Sequence, residues 1–157
     1  MDYITDTRGE RVETREGTGS FRIELNNTDA LSLDFTRTYE LLEEGFPIAE
    51  GVDVPAGAYS FQTVRTGYQF GQQRPVSGSV NVAAGSFFGG DRTQASTSGR
   101  VELTPRFSFE PSESINWVEL PEGTFTSRLA ATRVIFAPSP RSVLSALHAV
   151  QLRQRIA

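Results

Sequence analysis

The feature that most constrains this chain is a two-residue hydrophobic period that returns in one run after another. In residues 20–26, Phe21, Ile23 and Leu25 alternate with Arg22, Glu24 and Asn26. Successive side chains of a strand point to opposite faces, so the run reads as a strand with one apolar and one polar side. Residues 31–41 repeat the pattern. Leu31, Leu33, Phe35 and Tyr39 share one parity, and Ser32, Asp34, Thr36 and Thr38 the other. Arg37 breaks the apolar row, which places water near that point of the face. Asn26-Asn27-Thr28-Asp29 between the runs is a turn signal, and the two strands read as an antiparallel hairpin.

The pattern continues to residue 137. In residues 59–70, Tyr59 and Phe61 share one parity while Val64, Tyr68 and Phe70 share the other. That phase change predicts a bulge near Gln62 or Thr63. Further strands are expected over 76–88, 92–103, 106–117 and 124–137, with a weak one over 10–15 among the punctuating Gly9, Gly17 and Gly19. Turns fall at 71–75, 85–91, Pro105 and 120–123. Pro111 lacks a backbone donor, so it predicts an edge, a bulge or a break in its strand.

Residues 46–61 depart from this regularity. Pro47, Gly51, Pro55 and Gly57 exclude a regular helix and a central strand, so 42–57 reads as a long connection that launches the next strand. Past residue 139 the spacing changes again. Ser139 suits a helix N-cap and Pro140 a first helical position. Leu144, Leu147, Val150 and Ile156 recur near helical spacing, and Arg153 and Arg155 suit a helix C-terminus. The expected architecture is all-β: an antiparallel up-and-down meander of about seven or eight strands over residues 1–139, followed by a C-terminal helical tail over 140–157. The sheet is either a partial β-barrel or a strongly curved sheet. No helix is expected between strands, so no parallel crossover is either.

Composition narrows the function. The chain of 157 residues is long enough for one domain with a core. It has no Lys and a formal net charge of −4, which argues against nucleic acid, because phosphate binding needs a basic face. With no cysteine there is no disulfide, thiolate metal site or Cys nucleophile. The start, Met-Asp-Tyr-Ile-Thr-Asp, is polar and acidic and does not read as a signal peptide. No apolar run reaches the length of a membrane-spanning helix, so a membrane role would come through strands.

Residues capable of chemistry are few. Glu40, Glu43, Glu44, Glu50 and Asp53 make the 42–57 connection acidic, but they lack calcium-loop spacing, and a solvated loop outweighs a cation site. Gly85 to Asp91 is glycine-rich, yet no Gly-Lys-Ser/Thr and no helix follow, so a turn outweighs a phosphate cradle. His148 is the only histidine, and no strand-turn-helix elbow surrounds any serine. Glu110 with Glu113, and Glu119 with Glu122, are the carboxylate pairs. Trp117 with Phe107, Phe109 and Phe125 suggests a sugar-stacking platform, a core cluster or an interfacial girdle, the last two being favoured. No catalytic, cofactor-binding or metal residue is assigned, and no cofactor or small-molecule ligand is expected.

Several segments, taken together, resemble a bacterial family of unknown function. They are Tyr39-Glu-Leu-Leu with Phe46-Pro-Ile, Val54-Pro-Ala-Gly-Ala-Tyr, Arg74-Pro-Val-Ser-Gly, Gly85-Ser-Phe-Phe-Gly-Gly-Asp-Arg, Leu120-Pro-Glu-Gly-Thr-Phe, Thr132-Arg133 and Phe136-Ala-Pro-Ser-Pro-Arg. Long chains of that family carry a carbohydrate-binding-type β-sandwich near the start and an outer-membrane β-barrel at the end. The likeness runs in order over residues 20–147 and covers only the barrel-like end.

The resemblance implies a non-enzymatic fragment of an outer-membrane-type barrel, with a structural or transport role. Its implied partners are membrane lipid or the remainder of a longer barrel. No catalytic residue and no sugar-binding role carries over. Beyond Leu147 the chain departs from the family, which continues with a strand containing Gln-Tyr-Asn, and a shifted reading frame would account for that. The periodicity taken without the resemblance fits a small soluble β-sheet binding module instead, with carbohydrate as one ligand class. A partial barrel expressed alone is expected to aggregate or need detergent, because its outer strands are unpaired edges.

Overall fold

The computed structural model describes residues 2–5, 12–139 and 142–156. They are all-β, with no helix among them. The strands are β1 (Asp2–Thr5), β2 (Val12–Glu24), β3 (Ala30–Leu42), β4 (Phe46–Ala49), β5 (Val52–Val54), β6 (Gly57–Phe70), β7 (Val76–Phe87), β8 (Gly90–Thr104), β9 (Phe107–Leu120), β10 (Gly123–Ser139) and β11 (Ser142–Ile156). A nine-stranded sheet has the order β1-β2-β3-β6-β7-β8-β9-β10-β11, and β4 with β5 forms a separate two-stranded hairpin. Every strand pairing among the described residues is antiparallel. The sheet is open, with β1 and β11 unpaired to one another. The expected all-β meander is therefore present.

Its strands are long. β2, β3 and β6 to β11 each hold 12 to 17 residues, against about 5–6 in an ordinary globular strand. Part of that length was hidden in the sequence. The weak strand over 10–15 and the clear one over 20–26 are a single strand, β2, that runs through Gly17 and Gly19. These glycines sit opposite Arg37 and Phe35. Glu10 and Arg11 lie outside the described residues.

The expected C-terminal helix over 140–157 is corrected: the tail is β11. It pairs with β10 in unbroken register from Thr124↔Ile156 to Phe136↔Leu144. The same residues that recur at helical spacing also alternate. Leu144, Ala146, His148, Val150 and Leu152 share one parity, and Ser145, Leu147, Ala149, Gln151 and Arg153 the other. Helix propensity favours this stretch by a few tenths of a kcal/mol per residue. A helix would satisfy its own backbone but leave the outer N–H and C=O groups of β10 unpaired, whereas the strand pairs them, at roughly 0.5–1.5 kcal/mol per hydrogen bond, so the ladder wins. Pro140, assigned to the first helical turn, lies outside the described residues. The tail is thus the last strand of the same sheet rather than a separate unit.

Two local expectations also change. The register of β6 is continuous against β3, from Leu42↔Gly57 to Ala30↔Gln69, and against β7, from Thr63↔Gly85 to Phe70↔Gly78. There is no bulge at Gln62 or Thr63, and the phase change has a different origin, given below. At Pro111 the break is one-sided. β9 stays in register with β10 through Pro111↔Thr132. Against β8, partners stop at Ser98↔Ser112 and resume at Val101↔Phe109. The proline ring faces Gly99, where an added Cβ would touch it at 3.5 Å.

The connection after β3 is an ordered hairpin, not a bare loop. β4 and β5 pair through Phe46↔Val54 and Ala49↔Val52, turning at Gly51 with a φ of 68°. Val52 and Val54 are 0% exposed. They join Ala49, Phe61, Phe88, Val118, Leu120 and Phe125 in the core, with Leu42, Phe46, Ile48, Tyr59 and Phe87 packed around it. The core therefore sits at one end of the sheet.

Candidate functional site

Residues directly opposite one another in an antiparallel ladder share a face, so the register assigns every side chain to one of two sides. One side is apolar. Phe21, Leu33, Thr66, Val82, Ala95 and Ile115 form one row across it, and Ile23, Leu31, Tyr68 and Val80 the next. Phe35, Val64 and Ala84 belong to the same side. Farther from the hairpin the same side carries Phe109 with Val134, and Phe107, Phe136 and Leu144, while Trp117 on β9 and Val150 and Leu152 on β11 keep it apolar nearer the hairpin. Between these two apolar stretches of β9 and β10 lies an ion pair, Arg128 with Glu113 at 2.5 Å. The row nearest the hairpin, Arg37, Gln62, Ser86, Asp91 and Glu119, is polar.

The opposite side is polar. Ser32, Gly67, Asn81, Ser96 and Ser114 form one of its rows, and Asp34, Arg65, Ala83, Gln94 and Asn116 another. The hydroxyls of Ser79 and Ser98 share a 2.9 Å hydrogen bond, and the Gln94 amide donates to Ser114 at 3.4 Å. Shallow grooves lie on this side, one among Ser79, Asn81, Ser96 and Ser114 and one among Arg22, Ser32, Gly67 and Gln69.

On β3 exposure runs against polarity. Leu33 is 49% exposed and Phe35 46%, while Ser32, Asp34 and Thr36 between and beside them are half-buried. No second layer covers the apolar side among the described residues. The β4–β5 hairpin packs on the polar side instead, and only at one end.

At that end the polar side changes character. Phe61 and Phe87 face the hairpin, and Val118 sits beside Phe125 on the same side. This explains β6. Its first half points Tyr59 and Phe61 toward the hairpin core, and its second half points Val64, Tyr68 and Phe70 to the opposite, apolar side. The parity switch marks the rim of the hairpin. Phe88 sits 4.9 Å from the Phe61 ring and 5.0 Å from Tyr59. It occupies the β7–β8 turn with Gly89, at φ 44° and 82°, the double positive φ of a tight hairpin turn. A bulky residue there costs roughly 1–2 kcal/mol, offset by burial of its ring.

The other end is held by Asp29, a residue read from the sequence only as part of a turn. It is 2% exposed. Its carboxylate accepts hydrogen bonds from the Tyr68 hydroxyl at 2.7 Å, the Gly71 N–H at 2.7 Å and the Asn27 amide at 2.8 Å, with Arg74 3.3 Å away. The β2–β3 turn is thereby tied to the β6–β7 turn. The hydrogen bonds from Tyr68 and Gly71, with the Arg74 charge, hold the Asp29 pKa below the ordinary carboxylate value. Spacing could not reveal this, because the four partners converge only once β2, β3 and β6 pair.

The residues singled out for chemistry do not converge. Glu110 lies on the polar side, 3.9 Å from Arg133, while Glu113 lies on the apolar side with Arg128. Glu119 points to the apolar side, and Glu122 is in the β9–β10 turn. Phe125 is on the side opposite Trp117, Phe107 and Phe109, so the four rings form no common platform. His148 pairs with Thr132 and is exposed. Glu43, Glu44, Glu50 and Asp53 are exposed on and around the hairpin. Among the described residues no three acidic or histidine side chains are grouped to hold a metal ion. Compared with family models, curated proteins and solved structures, the chain matches none.

Proposed function

We propose that this chain is a non-enzymatic wall of an outer-membrane-type β-barrel, with its apolar side against lipid and its polar side turned inward. The observation that carries the reading is the uncovered apolar side, whose residues on β3 are more exposed than the polar ones between them. A soluble sheet covers its apolar side with a second layer, whereas a membrane barrel presents it to hydrocarbon. Strand length supports the same reading. Thirteen residues, as in β3, extend about 44 Å, or roughly 31 Å along the membrane normal at a 45° tilt, which matches a hydrocarbon core of about 30 Å. The β4–β5 hairpin then closes one mouth of the inner side. The partners of this reading are membrane lipid and the strands that pair the two edges of the sheet, at β1 with the rest of β2 and at β11.

Leu33→Arg against Thr36→Arg tests it. On a lipid-facing site near mid-membrane, Arg costs roughly 2–4 kcal/mol; on a water-exposed site it costs little. The purified chain is refolded with phosphatidylcholine vesicles and followed by heat-modifiable migration on gels. The wild type and Thr36→Arg are expected to insert, and Leu33→Arg to fail. A wild type that is monomeric in water and ignores vesicles, with Leu33→Arg fully stable, would overturn the reading in favour of a soluble sheet module.

A further inference from the structure

The polar side carries its charges in two patterns. Away from the hairpin they are matched: Arg100 sits 2.8 Å from Glu102, and Arg133 3.9 Å from Glu110. Next to the hairpin they are not. Arg65 and Arg92 lie on the same side of the sheet, on β6 and β8, separated only by the small residues of β7, Ala83 and Gly85. Neither forms an ion pair with a carboxylate among the described residues.

Arg92 is half-buried, with its guanidinium 4.6 Å above the Phe87 ring, so the hairpin core forms the floor beneath it. Gln94 lies in the same row as Arg65 and adds an amide donor beside the pair. Asp34, the cross-strand partner of Arg65, makes no ion pair with it. Two guanidiniums on one side with no carboxylate ion-paired to either, one of them partly desolvated, form an arrangement that a bound anion stabilises. Planar guanidiniums match oxygen anions through paired N–H donors.

We propose that Arg65 and Arg92 form a binding site for a small oxyanion, a phosphate or carboxylate group, on the polar side just above the hairpin. The site does not depend on whether the apolar side meets lipid. In a barrel it would be a positively charged constriction that favours anionic solutes.

The test uses the full chain in whichever medium it folds, water or neutral octyl glucoside, titrated calorimetrically with inorganic phosphate and then acetate at constant ionic strength. The wild type is expected to bind phosphate saturably at one site. Arg65→Gln and Arg92→Gln should each weaken binding at least tenfold, Arg92→Lys less, and Arg133→Gln at the matched end not at all. Arg65 is exposed, so Arg65→Gln decides the matter if Arg92→Gln does not fold. Absence of saturable binding by the wild type, or equal binding by Arg65→Gln and wild type, would refute the site. Vesicle insertion is read separately and should be the same for Arg65→Gln and wild type, so a failure here is distinct from a failure of the membrane reading.

Discussion

Phe61→Ala removes the ring through which the long sheet grips the β4–β5 hairpin. Phe61 is 8% exposed, and its ring centroid lies 6.3 Å from Tyr59, 5.8 Å from Phe87 and 4.9 Å from Phe88. A buried Phe truncated to Ala costs roughly 3–5 kcal/mol, the lost transfer free energy plus the cavity left behind. Phe35→Ala is the control. It is the same change in the same sheet, at a site that is 46% exposed and faces away from the hairpin, and its expected cost is about 1 kcal/mol. The gap of at least about 2 kcal/mol corresponds to roughly thirtyfold in the folding equilibrium. Urea unfolding followed by far-UV circular dichroism and by the fluorescence of Trp117, the only tryptophan, measures both variants. If Phe61→Ala and Phe35→Ala lose the same stability, the hairpin core does not anchor the sheet and the description of its one-ended core is wrong.

Acid should loosen the Asp29 end first. Its folded pKa lies below the unfolded value near 3.8, so its contribution is present above that value and is lost as pH falls through the folded pKa. Urea midpoints measured from pH 6 down to 2 should fall for the wild type and fall less for Asp29→Asn, whose stability is already reduced at pH 6. Gly90→Ala should destabilise the chain far more than Gly89→Ala, because the new Cβ would collide with the Glu119 carbonyl oxygen. Gly89→Ala should fold with a loss of about 1 kcal/mol, since its Cβ meets nothing nearer than 3.9 Å and only the positive φ of 82° is unfavourable. Thermal melts of the two side by side separate steric from conformational cost.

Alternation of side chains was enough to read most of the sheet. Phe21 to Leu25, Leu31 to Tyr39 and Val76 to Val82 have no other regular home, because a period of two fits a strand and nothing else. The turns at Asn26 to Asp29 and Leu120 to Gly123 follow from local chemistry for the same reason, and so does the meander that joins them. The remainder depended on partners distant in the chain. Leu144, Leu147 and Val150 satisfy helical spacing, while Leu144, Ala146, Val150 and Leu152 also share one strand parity, and only the open edge of β10 decided between the two. Pro47 and Pro55 excluded a central strand correctly, but Val52 and Val54 became a buried hairpin because Phe61 and Phe125 stood ready to cover them. The phase change in β6 looked like a bulge because parity tells which residues share a face, not what lies against that face; the hairpin occupies one half of it and leaves the other bare. Asp29, and the nearness of Arg65 to Arg92, were beyond any local signal. Each is a meeting of residues tens of positions apart, and such meetings exist only once the strand order and register are set.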